Sequence, residues 1–151
     1  YLETKKTALN TINDLDLIKK GISMLLPITH PYHELRIKYM ILKTVLYQKM
    51  RNYSSVYELH KTLLDFYERH LDTRSPYLGI QLRNVGIASL NYGCMKADIV
   101  GEKERKTGKQ VNPKIKNEPI KYFSDSKLYF EKALVLLEMS HGIKSDYYKR
   151  T

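Results

Sequence analysis

The sequence predicts an all-α fold of antiparallel helix pairs stacked as a short superhelical array. Three observations predict it. Glycine and proline are scarce, 7 and 5 among 151 residues, whereas all-β folds need many turns. Apolar residues recur at steps of three and four over long stretches, the period of a one-sided helix. The chain also repeats itself. His30-Pro31-Tyr32, Ser75-Pro76-Tyr77 and Ser145-Asp146-Tyr147 hold equivalent places, with Pro31 and Pro76 45 positions apart and Tyr77 and Tyr147 70 apart.

At the offset of 70, Arg74-Ser75-Pro76-Tyr77 matches Lys144-Ser145-Asp146-Tyr147, Tyr53-Ser54 matches Phe123-Ser124, and Glu68 matches Glu138. The repeating unit is therefore loop, helix, turn, helix, loop, and the second copy holds about 25 extra residues. Asn13 and Asp14 are placed to cap a helix whose core side is Ile18, Ile22 and Leu25, and Pro27 ends it. Residues 2–11 are expected to form a short separate helix before it. Pro31 and Pro76 suit the first turn of a helix, where an N–H has no partner, and Ser75 suits the N-cap. From Tyr32 to Met50, the residues Leu35, Tyr39, Leu42, Val45, Leu46 and Met50 form one stripe. Asn52 makes the turn, and Val56, Leu59, Leu63, Phe66 and Tyr67 form the next stripe. In the second unit Leu78, Leu82, Val85 and Ser89 are expected to pack against Phe130, Ala133, Leu134 and Leu137. Each pair leaves a face that one neighbour does not cover, and stacking pairs into a curved array covers it.

A chain of this length is one ordinary domain, 1–151, able to bury about 70% of its unfolded surface. It is 42% hydrophobic and 28% charged, enough to fold. It does not begin with methionine, so the sequence reads as part of a larger protein. No apolar run approaches the roughly 18 residues of a membrane span, and no signal-peptide pattern opens the chain. Cys94 is the single cysteine, which excludes an internal disulfide or a cysteine-based zinc site and points to cytoplasm or nucleus. A net charge of +10 favours acidic partners.

The extra length falls at about 98–121. Residues 101–121 carry seven Lys and Arg, Lys103, Arg105, Lys106, Lys109, Lys114 and Lys116 among them, against three Glu, and show no apolar period. They are expected to form a long basic loop between the two helices of a pair, and loops this long are usually functional or disordered. A solvated insertion and a basic arm touching an acidic partner both fit. Nucleic acid is disfavoured, because the aromatic platforms of single-strand binding are missing from the segment.

The second unit resembles a tetratricopeptide repeat (TPR). Leu82-x-x-Val85-Gly86 is similar to the first-helix pattern, with Gly86 as the small residue where two helices come close. Ser126-x-x-x-Phe130-x-x-Ala133 is similar to the second-helix pattern. In the first unit Val56-x-x-x-His60-x-x-Leu63 replaces the small residues of that pattern with large ones, so its packing should be looser or wider. A narrower resemblance covers about residues 18–148. Leu26-Pro27-Ile28-Thr29-His30-Pro31 leads into a helix pair, Arg74-Ser75-Pro76 opens the next, and Phe130-Glu131-Lys132-Ala133-Leu134-Val135-Leu136-Leu137-Glu138-Met139-Ser140-His141-Gly142 closes the chain. That order resembles the C-terminal helical domain of SET–MYND (SMYD) protein-lysine methyltransferases. Kinesin-light-chain-like repeats use similar phrases. The SET–MYND resemblance implies a non-catalytic domain that walls the substrate cleft and binds protein partners. It places S-adenosylmethionine and zinc in upstream SET and MYND domains, with no cofactor in this segment. The basic insertion departs from that family.

No catalytic motif stands out. His30 and His33 are three apart, but no third metal ligand is evident; His60 and His141 read as interface or cap residues. Neither a G-x-S-x-G nucleophile motif nor a phosphate loop occurs. Arg36, Lys43, Arg83, Asn84 and Asn91 fall on first helices of the pairs. In TPR arrays such helices line the concave face, so these side chains are candidates for holding a peptide carboxylate, against the plainer reading of a solvated polar face. The expected function is thus a non-catalytic domain of a methyltransferase. The alternative is a stand-alone TPR scaffold that binds acidic peptide tails.

Overall fold

The structure, a computed structural model, describes residues 2–25, 27 and 34–141, with side chains placed for 13–24, 27 and 34–140. It is all-α: α1 is Leu2–Leu25, α2 Glu34–Lys49, α3 Tyr53–His70, α4 Pro76–Thr107 and α5 Pro113–His141. The chain divides into two compact units, residues 1–59 and 60–151.

In the first unit α1 packs against α2. Leu15 and Ile18 of α1 meet Leu46 of α2, with Ile22, Tyr39 and Tyr47 around them. Gly21 lets the Tyr39 ring approach, since a Cβ there would sit 3.1 Å from Tyr39 Cζ. Asn13 and Asp14 do not cap a helix. α1 runs through both, and they are exposed positions in its middle. Local side-chain competition with the helix is worth too little there to break it. The buried face of α2 also differs from the expected stripe. Ile37, Thr44 and Leu46 are buried, while Leu35, Leu42, Val45 and Met50 are exposed. The mixed pattern of Glu34–Lys49 supports more than one face, and Thr44 joins the buried one by donating its hydroxyl to the Met40 carbonyl, 2.9 Å.

The turn at Asn52 serves two helices. Arg51 adopts a left-handed conformation, φ 55. The Asn52 N–H bonds the Tyr47 carbonyl at 2.9 Å and the Arg51 N–H bonds the Gln48 carbonyl at 3.0 Å, the pair of bonds that ends a helix with a left-handed residue. Asn52 then caps α3: its Oδ1 accepts from the Ser55 N–H at 3.2 Å and from the Ser54 hydroxyl at 3.2 Å.

The second unit is built on the α4–α5 hairpin. Gly79, Gly86 and Gly93 stand seven apart on α4, opposite Leu137, Phe130 and Phe123, seven apart on α5 and in reverse order. The helices are therefore antiparallel, in a register held over four turns, and a seven-residue step is that of a left-handed pair. A Cβ at Gly86 would lie 2.8 Å from Phe130 Cε1, and one at Gly93 2.8 Å from Phe123 Cε1. Two hydroxyls cross the seam, Ser126 Oγ to the Gly86 carbonyl and Ser89 Oγ to the Tyr122 carbonyl, both 2.9 Å. Leu78, Leu82, Val85 and Ser89 are buried, as are Ala133 and Leu137. From α3, Leu63 and Leu64 add to the core, and Gln81 of α4 donates to the His60 carbonyl at 2.9 Å. At the N-terminus of α4, Ser75 occupies the N-cap with Pro76 behind it, although its hydroxyl makes no capping bond.

Residues 98–121 do not form a long loop. α4 continues to Thr107, α5 begins at Pro113, and only residues 108–112 connect them. The segment hides its helices because it is polar nearly all round, yet Glu, Lys and Arg are good helix formers. Val100, seven past Gly93, continues the buried seam, and Val111 turns inward beyond it. Gly108, φ 62, ends α4 with its N–H on the Glu104 carbonyl at 2.9 Å. Asn112 caps α5 by accepting from the Lys114 N–H at 2.9 Å, with Pro113 at the first helical position.

Candidate functional site

The residues singled out as peptide ligands lie on α2, which packs against α1, and on α4, which packs against α5. Arg36 and Lys43 sit on α2, seven apart and so on one face, both half-buried. Lys43 Nζ lies 5.6 Å from the Tyr47 ring centroid, within cation–π reach. Asn84 and Asn91, also seven apart, share a face of α4, with Arg83 beside Asn84. Arg36 and Lys43 belong to the first unit, and Arg83, Asn84 and Asn91 to the second.

The cations of the insertion gather at the end of the α4–α5 hairpin. Lys103, Arg105 and Lys106 lie on the last two turns of α4, Lys109 in the connection, and Lys114 and Lys116 on the first turn of α5. Three glutamates neutralise some of this charge. Glu102 pairs with Lys106 at 3.5 Å, Glu104 with Lys116 at 3.1 Å, and Glu118 with Lys96 at 3.0 Å. Glu104 also accepts from the Val111 N–H at 3.4 Å. The hydrogen bond from Lys116, helped by that N–H, holds the Glu104 carboxyl below its usual range. The Glu118 hydrogen bond raises Lys96 above the ordinary lysine value. Arg105 donates to the Gly101 carbonyl at 3.3 Å. Lys103, Lys109 and Lys114 carry no ion pair among the described residues and point their charge to solvent.

Next to these cations is a set that the sequence reading passed over. The Tyr92 and Tyr122 rings pack at 4.6 Å, and burial pushes the Tyr122 hydroxyl up from its usual value. Ile99 and Ile115 are exposed close by. The signal that would have found them is spacing: Tyr92, Lys96, Ile99 and Lys103 follow helical steps, as do Ile115, Glu118 and Tyr122.

His60 faces Gln81 Nε2 across 3.3 Å at its Nδ1, and burial lowers its pKa. It joins two helices, and its burial favours the neutral imidazole. Cys94 is exposed. His30, His33 and Gly142 lie outside the described residues, as does the side chain of His141. Among the described residues no three His, Cys, Asp or Glu gather closely enough to hold a metal ion, and no helix is long and apolar enough to cross a membrane. No protein-family model matches the chain, and no curated protein is significantly similar to it.

Proposed function

We propose that this chain is a non-catalytic, TPR-like helical domain that makes protein contacts, and that it serves as the C-terminal helical domain of a SET–MYND protein-lysine methyltransferase. The observation that carries the reading is the seam of the second unit. The residues on which the tetratricopeptide-repeat resemblance rests, Gly86 on α4 and Ser126, Phe130 and Ala133 on α5, lie along it, whereas the SET–MYND part of the proposal rests on the sequence resemblance alone. The Phe130 ring fills the space that a Gly86 side chain would take, the Ser126 hydroxyl reaches the Gly86 carbonyl, and Ala133 is fully buried. Helical arrays act through surfaces laid out on rigid helices, and Arg83, Asn84 and Asn91 supply hydrogen-bond donors on such a surface. In the parent enzyme S-adenosylmethionine and zinc belong to the SET and MYND domains, and this segment shapes the cleft and holds partners. Its location is then cytoplasm or nucleus.

The test is to read the transcript that encodes this chain upstream of the Tyr1 codon. Clustered cysteines and a SET domain are expected. Further helix pairs with no SET domain would refute the methyltransferase assignment and leave a stand-alone scaffold for acidic peptides.

A further inference from the structure

One side of the α4–α5 hairpin near its turn has the make-up of a docking surface. On α4, Tyr92, Lys96, Ile99 and Lys103 follow at steps of four, three and four, and so share a face. On α5, Tyr122, Glu118 and Ile115 do the same running back toward the turn. Two contacts set these faces side by side, the Tyr92–Tyr122 ring pair at 4.6 Å and the Lys96–Glu118 ion pair at 3.0 Å. The next position along each helix is Ile99 on one and Ile115 on the other, 54% and 44% exposed. Lys103, Lys114 and Lys109 follow at the end. From the body of the hairpin outward the order is aromatic pair, neutralised ion pair, apolar pair, cations.

The end that presents these cations is braced. Gly108 and Asn112 close the two helices, and Glu104 ties α4 to Val111 and Lys116. A braced surface loses little entropy on binding.

We propose that this side of the hairpin docks an acidic amphipathic segment of a partner protein. Its apolar side chains lie on Ile99, Ile115 and the tyrosine pair, and its carboxylates reach Lys103, Lys109 and Lys114. Charge complementarity selects the acid, and the exposed isoleucines select apolar residues beside it. A phosphate backbone would use the lysines but leave the isoleucines against solvent, and the two tyrosine rings pack on each other. An anionic membrane would meet the polar turn Thr107–Gln110 first. Ile99 stands about two turns behind that turn, and Val111 points inward. The inference rests on reading the chain as a protein-contact domain, and it is independent of any catalytic partner in the same polypeptide.

The test uses the 151-residue chain and a fluorescein-labelled helical peptide of Glu and Leu, with the Leu on one face, read by anisotropy at low and physiological salt. An all-Glu peptide, a short DNA duplex and phosphatidylserine vesicles are the competitors. The Glu–Leu peptide is expected to bind best. Lys103→Glu with Lys114→Glu, and separately Ile99→Ser with Ile115→Ser, should each weaken it at least ten-fold. All four side chains are exposed, and unchanged circular dichroism checks that the variants fold. Tighter binding of duplex or vesicles than of the Glu–Leu peptide, no binding of that peptide, or binding that both double variants leave intact would each overturn the proposal. Loss of peptide binding in Arg83→Glu without loss in the hairpin variants would overturn this surface and leave the protein-contact reading standing.

Discussion

Gly86→Ala is the sharpest probe of the helix seam. The added Cβ would lie 2.8 Å from Phe130 Cε1, 2.9 Å from Cδ1 and 3.2 Å from Cζ, closer than carbon atoms pack. The Ser126 hydroxyl bonds the Gly86 carbonyl at 2.9 Å, so the backbones resist moving apart and the ring must shift. Overpacking of this kind costs about 1–3 kcal/mol. Against it stands the helix propensity of alanine, worth about 1 kcal/mol over glycine inside a helix. The net expectation is a loss of about 0–2 kcal/mol. Gly101→Ala supplies the control in the same helix, because nothing lies within 4 Å of a Cβ there. Only the propensity gain acts on it, so it should stabilise by up to about 1 kcal/mol. The two variants should thus differ by about 1–3 kcal/mol in urea unfolding followed by far-UV circular dichroism. Phe130→Leu, which removes the ring edge, should recover part of the Gly86→Ala loss in a double-mutant cycle. If Gly86→Ala stabilises as much as Gly101→Ala, the close approach is wrong.

Other expectations follow from the same geometry. Arg51→Gly relieves a left-handed non-glycine residue and should stabilise by about 1 kcal/mol, while Asn52→Ala removes the cap of α3 and should cost about 1 kcal/mol; opposite signs in thermal unfolding check both. Ser126→Ala deletes a buried cross-helix hydrogen bond and should cost about 1 kcal/mol in urea unfolding, with a similar loss for Ser89→Ala. Burial holds His60 below the ordinary histidine value of 6.5 in the folded state, so the unfolded chain takes up the proton first. Its contribution to stability is therefore present above that value and lost as pH falls through it toward the folded pKa. A pH series of urea midpoints should show this slope, and His60→Gln should flatten it.

Much of the second unit was legible in the sequence because its packing depends on side-chain size. A small residue after Leu82-x-x-Val85 and the Ser126, Phe130, Ala133 series name the two sides of a close crossing, and Asn52 marks a turn on its own chemistry. The full seam was present as two heptad series, Gly79-Gly86-Gly93 and Phe123-Phe130-Leu137, of which Phe130 and Leu137 stood out as core and Gly86 alone as a point of close approach. The helices of 101–121 stayed hidden for a physical reason. That stretch owes its helicity to intrinsic propensity, Glu102–Lys106 pairing and caps at Gly108 and Asn112, none of which produces an apolar stripe. Asn13 and Asp14 misled in the opposite direction, since good capping residues are tolerated when exposed inside a helix. The cations of the hairpin end could be counted from sequence, but which of them stay unpaired depended on Glu104 reaching Lys116 across the turn.

We propose above that this domain lends protein contacts to a lysine methyltransferase and performs no chemistry itself. Calorimetric titration of S-adenosylmethionine into the full gene product, and into residues 1–151 alone, tests it without knowledge of the methylation substrate. Binding by the full product and none by the 151-residue chain is the expected result. Binding by the chain alone, or none by the full product, would contradict the account.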